Sequence, residues 1–82
     1  MKDWQKEAQK CLVGKTIKHV QWMTNANAKE IGWSNRPLLM VLDDDSIIFA
    51  QSDDEGNDGG ALYVDKGKDE QYIFPVFHRE EE

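Results

Sequence analysis

Residues 52–60, Ser-Asp-Asp-Glu-Gly-Asn-Asp-Gly-Gly, hold the densest set of side chains in the chain that could do chemistry. Four carboxylates, one amide and three glycines in nine positions forbid regular structure and offer oxygen to a cation, a proton or a basic side chain. Counted from Asp54, the residues Asp54, Gly56, Asp58, Gly59 and Asp65 occupy positions 1, 3, 5, 6 and 12 of a calcium-binding EF-hand loop, including the glycine at position 6. The match is partial: position 3 is Gly, position 12 is Asp where a bidentate Glu belongs, and the flanking segments read as strands rather than helices. If calcium or a similar divalent cation binds, Asp54, Asp58 and Asp65 are its ligands.

The same carboxylates could serve acid–base chemistry, with Asp53, Asp54, Glu55 and Asp58 as donors or acceptors and His19 or His78 as helpers. Spacing works against this. Residues 43–45 form a second acidic cluster, about 16 Å away if the intervening strand is extended at about 3.3 Å per residue. No G-x-S-x-G, H-E-x-x-H, G-x-G-x-x-G or P-loop occurs, and Ser34, Ser46 and Ser52 have no base at a recognisable spacing. A lone His in a strand is more often structural than a metal ligand. A small enzyme using the loop carboxylates therefore ranks third. The first reading is a binding module in which Asp53, Asp54, Glu55, Asn57 and Asp58 face Lys or Arg of a basic partner protein, with an edge strand or an exposed Trp adding apolar area. Against every ligand stands a structural alternative, in which the Asp and Asn side chains cap the loop's own amides and glycines take positive φ.

Charge supports the basic partner. Residues 1–41 carry seven Lys/Arg and three acids, a balance of +4, whereas residues 42–82 carry three Lys/Arg and thirteen acids, a balance of −10. No base lies between Arg36 and Lys66. Such a field repels phosphate, so nucleic acid is not an expected partner. One cysteine, Cys11, rules out an internal disulfide framework and fits a reducing compartment. With no apolar leader at the start and no apolar run near the roughly 18 residues of a membrane span, the expected location is the cytoplasm, away from membranes.

Eighty-two residues make one domain, 1–82, with a small core. Residues 3–13 read as a helix: Trp4, Ala8, Cys11 and Leu12 recur at i, i+4, i+7 and i+8, Asp3 can cap the start and Gly14 ends it. The stripe predicts that this helix docks on a sheet with Trp4 and Cys11 as core contacts. Residues 15–23 read as a strand whose broken alternation calls for a bulge or for cover on both faces. Thr24 caps a short helix over residues 25–31, closed by Gly32 with Trp33 as its apolar partner. Residues 34–37 read as a turn.

Residues 38–42 and 47–50 are continuous apolar runs joined by Asp43-Asp44-Asp45-Ser46, a hairpin at the centre of the sheet. Neither run alternates, so both faces need cover from sheet curvature, from the acidic loop folded back, or from a second subunit, which makes a homodimer an expectation. Residues 61–64 fit a strand or one helical turn. Residues 71–77 read as a last strand, placed at an edge by Pro75. Residues 1–2 and 79–82 are expected to fray.

Leu12-Val13-Gly14-Lys15-Thr16-Ile17, Gly32-Trp33, Leu42-Asp43-Asp44 and the run from Asp53-Asp54-Glu55-Gly56-Asn57-Asp58 through Gly59-Gly60-Ala61-Leu62 together resemble a family of small uncharacterised bacterial proteins. The resemblance spans about residues 12 to 77 and brings no activity, cofactor or partner with it. In that family's pattern the hairpin reads Asp-Asp-Gly and the cap after Thr24 includes a Glu; here Asp45 replaces the glycine and Asn27 holds the capping-box position. The expected fold is α+β: an N-terminal helix on a strongly curved antiparallel sheet of four or five strands with a short inserted helix, an SH3-like partly open barrel being the alternative description. The expected function is a small acidic binding or accessory module, with no cofactor required.

Overall fold

A computed structural model describes residues 3–80. The fold is α+β, with an N-terminal helix, a short helix after the first strand, and antiparallel pairing throughout. In chain order the elements are α1 (Trp4–Leu12), β1 (Ile17–Trp22), α2 (Asn25–Glu30), β2 (Asn35–Arg36), β3 (Leu38–Leu42), β4 (Ile47–Ile48), β5 (Leu62–Asp65), β6 (Gln71–Phe74) and β7 (Phe77–His78). The strands divide into a three-stranded sheet ordered β1-β3-β4 and two ribbons, β2-β7 and β5-β6.

Local signals place most boundaries. The Asp3 carboxylate accepts from the Lys6 amide at 3.2 Å and starts α1, and Gly14 at φ 78° follows its end. Thr24 accepts from the Asn27 amide at 3.1 Å and starts α2. At the other end, Gly32 donates to Lys29 at 3.1 Å and Trp33 to Ala28 at 2.8 Å, a Schellman closure made possible by φ 77° at Gly32. That closure points Trp33 inward. In the hairpin between β3 and β4, the Asp45 amide donates to Leu42 at 2.9 Å and the Leu42 amide to Ser46 at 2.9 Å, with Asp45 at φ 70° in the left-handed position where a glycine is cheaper.

The broken alternation of β1 is a bulge. Ile17 pairs with Leu42 and His19 with Val41, so Lys18 is the extra residue. Val20 then faces Met40 and Trp22 faces Leu38, and the bulge thereby puts Ile17, Val20 and Trp22 on the face shared by Leu38, Met40 and Leu42. On the opposite face, Met23, Ala28 and Trp33 form the buried cluster, with Leu39 and Phe49 packed against it. The Trp33 and Phe49 rings meet edge to face at 5.6 Å. The two faces of the sheet therefore differ: α2 and Trp33 pack over one, whereas on the other the β5-β6 ribbon, through Leu62, Val64 and Phe74, borders an open groove.

Several expectations are corrected. No residue of α1 is buried, Trp4 is 72% exposed and Cys11 is exposed, so neither is a core contact. Strand β3 is central, whereas β4 is a two-residue edge. Residues 35 and 36 pair with β7 where a turn was expected, because Pro75 and Val76 break the final apolar run into β6, paired with β5, and β7, paired with β2. Residues 62–65 are a strand. Arg79 and Glu80, expected to fray, donate from their amides to the Ser34 carbonyl at 2.6 Å and to Asn25 Oδ1 at 3.1 Å. Residues 1, 2, 81 and 82 lie outside the described residues. Among the described residues no helix is long and apolar enough to cross a membrane.

Candidate functional site

The acidic loop leaves β4 through Phe49 and Ala50 and is closed at its base by antiparallel bridging of Gln51 with Gly59. The Ser52 amide donates to Asp58 and the Gly60 amide to Ala50, each at 2.9 Å. Glycine is required where the chain passes close to itself. A Cβ on Gly59 would lie 2.7 Å from Pro37 Cδ and 2.9 Å from the Asn35 carbonyl oxygen, and one on Gly60 would lie 2.7 Å from the Gln51 carbonyl oxygen.

Two of the acids are engaged by the loop and its support. Asp58 Oδ1 accepts from the Asn35 amide at 2.9 Å and from its neighbour Gly59 at 2.8 Å, while Oδ2 accepts from Asn35 Nδ2 at 3.3 Å. This half-buried carboxylate fastens the loop to β2. The Trp33 indole adds a second fastening, donating to the Gly56 carbonyl at 2.8 Å. Asp53 organises the tip: Oδ1 accepts from the Glu55 amide at 2.9 Å and the Asn57 amide at 3.3 Å, and Oδ2 from Asn57 Nδ2 at 2.8 Å. These donors, the Asn57 side chain first, hold the Asp53 carboxyl below the usual carboxylate range. Asn57 is thus a brace for Asp53.

Asp54 and Glu55 differ. Both are exposed, and among the described residues no hydrogen bond or ion pair engages either carboxylate. Asp54 lines, with Asp53, Ser52, Gln51, Phe49 and Trp4, an open cleft of about 840 Å³ between the N-terminal helix and the loop. Helical spacing alone predicts a core position for Trp4; its place beside the acids is set by where α1 lies relative to the loop, which no local pattern reveals.

Other expected site residues are dispersed. Asp65 accepts from the Gly67 amide at 2.8 Å and caps the β5-β6 hairpin. Among the described residues no three His, Cys, Asp or Glu side chains are grouped as metal ligands, so Asp54, Asp58 and Asp65 do not converge. His19 lies in β1, hydrogen-bonded to Gln21 at 2.8 Å, and His78 lies in β7 opposite Asn35. The other acidic cluster serves the hairpin. Asp44 accepts from the Ser46 hydroxyl and, at 3.0 Å, from the Ser46 amide, and it pairs with Lys15 at 3.2 Å, which together lower its pKa to about 2. Asp45 pairs with Lys18.

Comparison with family models, characterised proteins and solved structures finds no match. The functional reading rests on the geometry of the loop and its cleft.

Proposed function

We propose that the protein is a small non-enzymatic binding module whose cleft between α1 and the acidic loop takes a basic segment of a partner protein. The observation carrying this is the juxtaposition of two aromatic rings, Trp4 and Phe49, with the Asp53 and Asp54 carboxylates in one open cleft. A Lys or Arg side chain there has an aromatic face for its apolar stem and charge, worth about 0.5–1 kcal/mol at an exposed site. The unengaged Asp54 carboxylate supplies the opposite charge. The balance of −10 over residues 42–82 adds a long-range attraction that raises the rate of encounter. A loop braced by Asp53, Asp58 and Trp33 presents these groups with little ordering left to do on binding.

A Lys/Arg-rich peptide titrated at low salt tests the reading, followed by indole fluorescence and by the amide resonances of residues 50–58. The expected result is localised shifts at Trp4 and residues 52–55 that weaken when salt is raised, and that are reduced in Trp4→Ala and in Asp54→Asn. Equal shifts in both variants, or none at millimolar peptide, would falsify it.

A further inference from the structure

Strand β1 is an edge of the three-stranded sheet: among the described residues it pairs with β3 and with no other strand. The Met23 amide donates to the Pro37 carbonyl at 2.9 Å, which fixes the phase of that ladder. Gln21 and His19 are hydrogen-bonded toward β3 in the same phase, whereas Val20 and Trp22, opposite Met40 and Leu38, belong to the pairs whose N–H and C=O groups point away from it. Two donors and two acceptors therefore line the open edge. Sheet edges are commonly blunted by a bulge or a lysine. Here both devices fall at Lys18, and the stretch from His19 to Trp22 is left regular.

The side chains of the same two residues point into the groove of about 440 Å³ between the sheet and the β5-β6 ribbon, with Ile17 and Met40 beside them and Val64 and Phe74 opposite. Its mouth runs along β1: Ile17 and Val20 stay 52% and 50% exposed, whereas Leu38, one strand further in, is 8% exposed. The ribbon does not supply the missing strand, because among the described residues β5 and β6 pair only with each other. Trp22 is held at the end of the groove by its indole, which donates to the Pro75 carbonyl at 2.9 Å, and by the Phe77 ring 5.1 Å away. On the other face of β1, the His19 and Gln21 side chains hydrogen-bond to each other at 2.8 Å.

We infer that β1 receives an extended segment of another protein as an added strand, with that segment's apolar side chains in the groove. Four main-chain groups in a row call for extended backbone; a helix satisfies its own amides and would leave them unpaired. The pleat then sets the pattern of the segment. Its residues opposite Val20 and Trp22 point to the groove and are apolar, about 6.6 Å apart, while the residue between them meets His19 and Gln21 and is polar. The cleft proposed for a basic segment lies past β4, at the opposite edge of the sheet, so the two sites stand or fall separately.

Three capped heptapeptides of threonine and valine, added to the full chain and followed by amide hydrogen exchange, test the inference. In the first peptide two valines are separated by one threonine; in the second they are adjacent; in the third the separated valines carry N-methyl groups, which remove the donors aimed at β1. The first should slow exchange at the Val20 and Trp22 amides about tenfold at nine-tenths occupancy and leave residues 52–55 unchanged. The second and third should bind at least about fivefold more weakly, one having lost the alternation and the other two hydrogen bonds. No protection at millimolar peptide overturns the proposal. Equal binding of the N-methylated peptide also overturns it, because the contact then needs no edge, and equal binding of the adjacent-valine peptide does so because the contact then needs no groove. Val20 and Trp22 amides already protected without peptide, together with a mass of twice 9.5 kDa, would assign the edge to a second copy and overturn it as well.

Discussion

Replacing Asp58 by Ala removes the acceptor that fastens the acidic loop to β2. Three N–H groups lose their partner: the Asn35 amide at 2.9 Å, the Gly59 amide at 2.8 Å and the Asn35 side-chain amide at 3.3 Å. Hydrogen bonds to a charged acceptor contribute about 1.5–3 kcal/mol each when well formed and shielded. The site is half-buried, so water can reach part of it, and the side-chain amide can turn to solvent. The two backbone amides cannot turn away without opening the Gln51–Gly59 bridge. The expected loss is therefore about 2–3 kcal/mol, a large share of the roughly 4–12 kcal/mol of a domain this size. Urea unfolding followed by Trp fluorescence reads it as a midpoint lowered by about 2 M or more, for a slope near 1 kcal/mol/M. Asp54→Ala and Glu55→Ala, which remove unengaged carboxylates, should stay within about 0.5 kcal/mol of the parent protein. A loss under about 0.5 kcal/mol for Asp58→Ala, or an equal loss for Asp54→Ala, would refute the assignment of Asp58 as the fastening residue. In a double-mutant cycle, Asn35→Ala should couple to Asp58→Ala and not to Asp54→Ala.

Further outcomes follow from the same geometry. Gly59→Ala drives a methyl to 2.7 Å from buried Pro37 and should cost about 2 kcal/mol or more in urea unfolding, whereas Gly14→Ala, with open space around it, should cost only about 1 kcal/mol for its positive φ. Asp45→Gly relieves the left-handed strain at φ 70° but loses the exposed Lys18 pair and frees the unfolded chain; the net gain should be positive and at most about 1 kcal/mol, and larger in a Lys18→Ala background. Ser46→Ala should raise the Asp44 pKa from about 2 toward 3.8 in a carboxyl NMR titration, and a value left at about 2 would show that Lys15 holds it instead. Because the folded carboxyl is the stronger acid, its contribution is present above pH 4 and is lost as pH falls from about 4 toward 2. Asp53 behaves with the same sign through Asn57, so Asn57→Ala should move its titration up toward the ordinary carboxylate value and loosen the loop tip at a higher pH.

The local grammar of the chain was legible without any structure, because caps, turns and periodicity act over a few residues. Asp3 and Thr24 as N-caps, Gly32 closing the second helix onto Trp33, the hairpin through Asp43–Ser46 and the irregular strand resolved as a bulge at Lys18 all rest on interactions within five residues or on side-chain alternation. The loop's internal bracing was one of the readings its Asp, Asn and Gly content allowed, for the same reason. Tertiary structure alone decided what those elements face. The spacing of Trp4, Ala8, Cys11 and Leu12 specifies a stripe and says nothing of what lies opposite it, so a helix expected in the core is exposed and Trp4 stands beside Asp54. Likewise, nothing near Asp58 in the sequence marks it as an anchor and Asp54 as an open carboxylate. That difference comes from Asn35, 23 residues earlier in the chain, which a strand pairing with β7 holds against one acid and not the other.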